Sequence, residues 1–210
     1  MFLRAEITTS CANEHSRFTN LNLLGWALVC PHALDLLREG AAPLLSPEYP
    51  TASESKSKHE QMKKYIKNVV ENLQSSQFKI LDSSEEYRLQ LGVKSRGVWL
   101  CAGSSADIVL ITAMTTFESP LVLYVEVTSS KINIAKPWQT LLRGLALYYE
   151  RRLPVGMIIV SPREVRYKLL CEKDQLKVLK LLNRTGARVE PSPNLCSLCE
   201  LASFCPSKAI

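Results

Sequence analysis

No apolar run in this chain approaches the roughly 20 residues that a helix needs to cross a bilayer. Its opening stretch, MFLRAEITTSCANEH, carries neither an apolar core nor a small-residue cleavage site, so a secretory leader is not expected. Internal repeats and low-complexity tracts are missing too, which argues against a repeat array or an extended tail. Cysteine is sparse and odd in number, seven in 210 residues, unlike the paired framework of a small secreted domain. These absences predict a cytoplasmic protein with no membrane partner and with free thiols.

What is present describes an ordinary globule. The composition, 46% hydrophobic and 22% charged, is enough for one domain spanning 1–210. The net charge of +6 is unevenly placed: between Glu150 and Arg188 ten basic residues face four acidic ones, leaving the remainder neutral. A local excess of this kind suits a polyanion such as nucleic acid, although a solvated helix face explains it equally well.

Periodicity divides the chain. A helical apolar segment runs through FTNLNLLGWALVCPHALDLLREG, broken at Pro31 and stopped near Gly40. A Pro/Ser-rich loop over 41–58 then feeds an amphipathic helix over about 53–75, marked by Met62, Tyr65, Ile66, Val69, Val70 and Leu73. EYRLQLGV, RGVWLCAG, ADIVLITA and PLVLYVEVTS read as successive strands. A helix follows with Trp138, Leu141, Leu142, Leu145 and Tyr149 on one face, then strands VGMIIVS and EVRYKLL and a last helix near 173–185. The order predicts a mixed central sheet flanked by helices, in the α/β or α+β class.

Two carboxylates stand out against this pattern. Asp107 opens the otherwise apolar ADIVLI, and Glu126 lies between valines in LVLYVEVTS. A carboxylate in a hydrophobic strand is costly unless it is paired or holds a cation, and two that share a site repel unless a divalent ion joins them. Mg²⁺ or Mn²⁺ with one or two carboxylates and a substrate phosphate is a common form of such a site, where the ion polarises phosphate and acidifies water. Each residue alone fits a strand-end carboxylate facing water just as well. His59, three and seven residues before Met62 and Ile66, reads either as a hydrogen-bonded core histidine or as a third ligand. Gln139 opens the helix after the Glu126 strand and could orient substrate.

The last fifteen residues hold Cys196, Cys199 and Cys205, spaced C-x2-C-x5-C. In a reducing compartment such a group is a ligand set, suited to zinc or to an iron–sulfur cluster.

Taken in order, CPHALDL, HEQMKKY, SSADIVLI, VLYVEVTSSK, WQTLLRGLALYY and CSLCELASFCP resemble the RecB-type nucleases of the PD-(D/E)xK superfamily. More narrowly, the chain is similar to the CRISPR-associated RecB-like exonucleases that carry an iron–sulfur cluster, over most of its length from about Cys30 to Pro206. The resemblance implies a restriction-endonuclease-like core, with an N-terminal helical region and a C-terminal tail (1–50 and 190–210) joined by that cluster. Cys30 would join Cys196, Cys199 and Cys205 as its ligands, [4Fe–4S] ahead of [2Fe–2S], leaving Cys11, Cys101 and Cys171 as ordinary thiols. His59, Asp107 and Glu126 would hold Mn²⁺ or Mg²⁺, with Gln139 beside them. The implied activity is metal-dependent cleavage of single-stranded DNA or DNA ends, in preparing DNA for CRISPR spacers alongside the integrase proteins.

One position departs from the pattern. The motif lysine is expected two residues after the glutamate, where Thr128 stands. Lys131 is the first candidate for a displaced amine and Lys136 the second, since a flexible stem can reach one point from several backbone positions. Tyr149 (or Tyr148), Arg151 and Arg152 are assigned to the DNA strand, and Trp99 and Trp138 are candidates for stacking on bases, although core packing explains either. A non-catalytic DNA-binding subunit is the alternative that Thr128 favours.

Overall fold

The computed structural model describes residues 7–9, 16–30, 32–33, 36, 52–72, 77–95, 98–116, 118–129, 132–182, 193–199 and 201–206. In chain order the strands are β1 (Ile7–Thr8), β2 (Ser16–Asn20), β3 (Phe78–Ser95), β4 (Val98–Met114), β5 (Leu121–Val127), β6 (Val155–Val160) and β7 (Val165–Leu169). The helices are α1 (Leu21–Val29), α2 (Ala52–Asn72), α3 (Lys136–Arg151), α4 (Glu172–Leu182) and α5 (Pro193–Leu198), with a 3₁₀ turn at Ala202–Phe204.

The seven strands form one mixed sheet in the order β1-β3-β4-β5-β6-β7, with β2 lying parallel to β4 off this path. The β5–β6 pair is also parallel, and α3 makes the crossover between them. The expected mixed sheet flanked by helices is therefore found. Two of its details differ from expectation. EYRLQLGV is only part of an 18-residue strand, and RGVWLCAG and ADIVLITA merge into one strand of 17. Antiparallel pairing of β3 with β4 from Phe78↔Met114 to Ser95↔Val98 carries the chain through Gly103, Ser104 and Ser105, which locally read as a turn. The start of the stretch read as helical, Phe18 to Asn20, belongs instead to strand β2, which runs from Ser16 to Asn20. Asn20 ends it as the N-cap, its side chain accepting from the N–H groups of Asn22 and Leu23 at 2.7 and 3.2 Å.

Helix α2 covers one face of the sheet, where Met62, Ile66 and Val70 pack on Ile108, Leu110, Val125 and Val127. On the other face α1 and α3 bury Leu21, Leu24, Leu142 and Leu145 against Val109, Val122 and Tyr124. Gly25 lets these two helices meet closely: a Cβ there would fall 2.4 Å from Cγ of Gln139. Among the described residues no helix is long and apolar enough to cross a membrane.

Helix α4 is anchored by Asp174, which is buried, accepts from the Cys171 N–H at 3.3 Å and pairs with Lys168. Burial pushes this carboxyl up, but Lys168 and Cys171 outweigh it and hold it below its ordinary value of 3.8. A depressed carboxylate contributes stability that is complete above its unfolded value and is lost as pH falls through the folded one. Asp174→Asn is accordingly expected to cost about 0.3–1 kcal/mol at pH 7 and to lose that deficit at acid pH, once the depressed carboxyl is protonated. Thermal melts of both proteins at pH 7 and at acid pH measure it.

Candidate active site and cysteine cluster

Strand β4 uses one edge twice. Its Trp99–Gly103 stretch pairs with β2 and its Ile108–Thr112 stretch pairs with β5, so Ser104 to Asp107 occupy the notch between two partners. The β4–β5 register, continued one step beyond Ile108↔Val125, sets Asp107 opposite Glu126. Helix α2 reaches the notch from one side with His59 and α3 from the other with Lys136.

The contacts follow from that placement. Asp107 Oδ2 accepts the Val127 N–H at 2.7 Å, and its Oδ1 lies 3.3 Å from His59 Nε2. Burial pushes the Asp107 carboxyl up, but His59, the Val127 N–H and Lys136 together hold it below the ordinary carboxylate value. The hydrogen bond that His59 donates to Asp107 in turn holds the imidazole above its usual 6.5. One turn along α2, the buried Lys63 pairs with Glu86. Glu86 falls between the paired Glu85↔Ile108 and Tyr87↔Ala106 and has a left-handed φ of 50°.

Glu126 is buried, 3% exposed, and fully engaged: it pairs with Lys136, accepts from the Tyr124 hydroxyl and lies 2.8 Å from Arg143 Nη1. Arg143 had no assigned role in the sequence, yet it organises this side of the site. Its Nη2 donates to Asn22 Oδ1 at 2.8 Å and Ser104 Oγ at 2.9 Å, its Nε to Ser104 Oγ at 3.1 Å, and its Nη1 to the Tyr124 hydroxyl at 3.3 Å. A planar fork of donors is satisfied by α1, β4 and β5 together. The one sequence signal was spacing, since Lys136, Gln139 and Arg143 recur at i, i+3 and i+7 on one face of α3.

Other candidates lie elsewhere. Gln139 is buried in the α1–α3 interface, where its Nε2 donates to the Asn22 carbonyl at 3.2 Å. Tyr149, Arg151 and Arg152 sit at the far end of α3, about 20 Å along the helix from Lys136 at 1.5 Å per residue. There Arg151 stacks over Tyr87 and Arg152 over Tyr149, at 5.1 and 5.3 Å. These three residues, expected to contact the DNA strand, therefore lie on a surface apart from the carboxylates. Lys131 lies outside the described residues.

The cysteines of the two chain extremities do meet. Cys30, Cys199 and Cys205 pack around Trp26, Ala33, Ala135 and Leu201. Burial raises the Cys199 thiol, and the nearby Cys30, Cys196 and Cys205 push it the same way, as four thiols in one neighbourhood must. All four are free, and Cys171 is free as well. Among the described residues no three His, Cys, Asp or Glu side chains are already drawn into an ion-holding arrangement. Cys101, expected as a buried ordinary thiol, is buried but disulfide-bonded, which corrects that expectation.

No family model and no curated protein matches this chain. Among solved structures it is similar to the crystal structure of SSO0001, with a TM-score of 0.55 at 14% identity, over 96% of this chain and 91% of that one. At that identity the likeness shows a shared fold.

Proposed function

We propose that this chain is a divalent-metal-dependent deoxyribonuclease of the RecB-like kind, hydrolysing phosphodiesters of single-stranded DNA or DNA ends. The observation that carries the proposal is the convergence of His59, Asp107, Glu126 and Lys136 at one notch of the sheet. The donor set fits a hard cation: an imidazole beside one carboxylate, with a second carboxylate opposite it in register. His59 and Asp107 would hold the ion, with Glu126 completing the site. A bound divalent ion would supply polarisation of the phosphate and a more acidic water. Asp107, kept ionised, orients from its hydrogen bond to Val127. Lys136, whose charge reaches both carboxylates, stands in for the lysine missing at Thr128 and faces the charge that develops on phosphate. Arg143 positions Glu126.

The four free thiols fit a thiolate-ligated centre, so Cys30, Cys196, Cys199 and Cys205 would hold an iron–sulfur cluster, [4Fe–4S] ahead of [2Fe–2S]. Such a centre would clip the tail to α1. Cys199→Ala is then expected to lose the brown colour and the iron of anaerobically purified protein and to melt at lower temperature. Colourless wild type with stoichiometric zinc would transfer the site to zinc. From the sequence resemblance we also propose a role in preparing DNA for CRISPR spacers beside the integrase proteins.

Labelled single-stranded DNA with Mn²⁺ tests the activity: cleavage by wild type and none by Asp107→Ala is expected, and equal cleavage by both sinks the proposal. A second reading, a non-catalytic DNA-binding subunit, is favoured by Thr128 and by Glu126 being neutralised already by Arg143. It predicts strand binding that weakens steeply with salt yet ignores EDTA, with no cleavage.

A further inference from the structure

Beside the carboxylate notch, on the other side of the α3 N-terminus, a cleft of about 380 Å³ opens between α3, α4 and strands β6 and β7. Its floor is apolar, with Leu141, Met157 and Ile159, and half-buried Trp138 forms one wall. Three cations rim it. Arg166 is held by Glu164 and Lys168 by Asp174, whereas exposed Lys177 has its ammonium 4.9 Å from the centre of the Trp138 ring. An aromatic wall with an apolar floor and a cationic rim fits a flat ring bearing an anion, which is the chemistry of a nucleotide.

The position gives this chemistry a meaning. Trp138 follows Lys136 by two residues, which sets their side chains about 200° apart around α3. Helical rotation turns Lys136 toward Glu126 and Trp138 toward β6 and β7. We infer that this cleft is a nucleobase subsite, in which Trp138 stacks on a base of a single-stranded DNA that passes the α3 N-terminus at Lys136, and Lys177 moves from the ring to a phosphate of that nucleotide. The inference rests on the nuclease reading for its register, whereas the stacking itself needs no chemistry at the notch.

The experiment separates the two. In EDTA, fluorescence anisotropy compares a short labelled strand with an abasic strand of equal length, for wild type, Trp138→Ala and Trp138→Phe. Wild type is expected to prefer the base-bearing strand. Trp138→Ala loses about 5- to 160-fold of that preference with affinity for the abasic strand unchanged, and Trp138→Phe restores most of it. Preference kept by Trp138→Ala, or both strands weakened equally, overturns the subsite. Should the alanine variant fail to fold, photocrosslinking of a 5-iododeoxyuridine strand to wild type decides: adducts at Trp138 or Tyr167 support the subsite, and adducts only elsewhere overturn it. Base preference without Mn²⁺-dependent cleavage sinks the nuclease reading and keeps the subsite. Cleavage with the preference intact in Trp138→Ala does the reverse.

Discussion

Lys136→Ala is expected to slow Mn²⁺-dependent cleavage of single-stranded DNA by about 100- to 1,000-fold, the usual cost of removing one preorganised donor from a developing oxyanion. Lys136 pairs with Glu126 and its charge also depresses Asp107, so its ammonium lies on one carboxylate and within electrostatic reach of the other. Its removal leaves Glu126 still held by Arg143 and Tyr124, so the fold and EDTA-resistant strand binding should survive. Single-turnover cleavage at saturating DNA, with binding in EDTA as the control, reads the effect. Lys136→Arg should recover only part of the rate, because a planar fork cannot occupy the place of a compact ammonium. Lys131→Ala is the necessary comparison. A full rate from Lys136→Ala with loss in Lys131→Ala would return the role to the residue nearer the motif position.

The carboxylates and the histidine were legible because each breaks a pattern: Asp107 and Glu126 interrupt apolar strands, and His59 occupies the apolar side of an amphipathic helix. Their meeting is a consequence of register, which the alternation within each strand constrains. Arg143 was not legible, since an arginine on an amphipathic helix ordinarily marks the solvated face. Only the fold shows that β2, ending at Asn20, brings Asn22 and Ser104 to either side of it. Strand β2 was itself missed, because Phe18 and Thr19 run into an apolar helix with only Asn20 as punctuation. The charge excess near Arg151 and Arg152 was real, but composition carries no position: helix length moves both residues away from the notch. Cys30 was matched to the tail by resemblance, and its convergence with Cys199 follows from α1 ending against Leu201 and Ala135.

Breaking the Arg143 network should produce the largest loss of stability. Glu126 is 3% exposed and Arg143 5%, so Arg143→Met leaves a buried carboxylate with Lys136 as its one remaining cation among the described residues. It also strips Asn22 Oδ1 and Ser104 Oγ of the donor that ties α1 to β4. Removing one partner of a buried ion pair costs about 3–5 kcal/mol, which for a chain of this size corresponds to a fall of about 6–20 °C in Tm. Burial alone does not make the pair favourable, because desolvating two charges offsets much of their attraction. The double variant Glu126→Met/Arg143→Met should therefore regain a large part of the loss, and the coupling between the two sites is read from the cycle. An Arg143→Met protein that melts with wild type would mean that Lys136 and Tyr124 suffice to hold Glu126. Arg143 would then lose its place as the positioning residue of the site, whatever the cleavage assay gives.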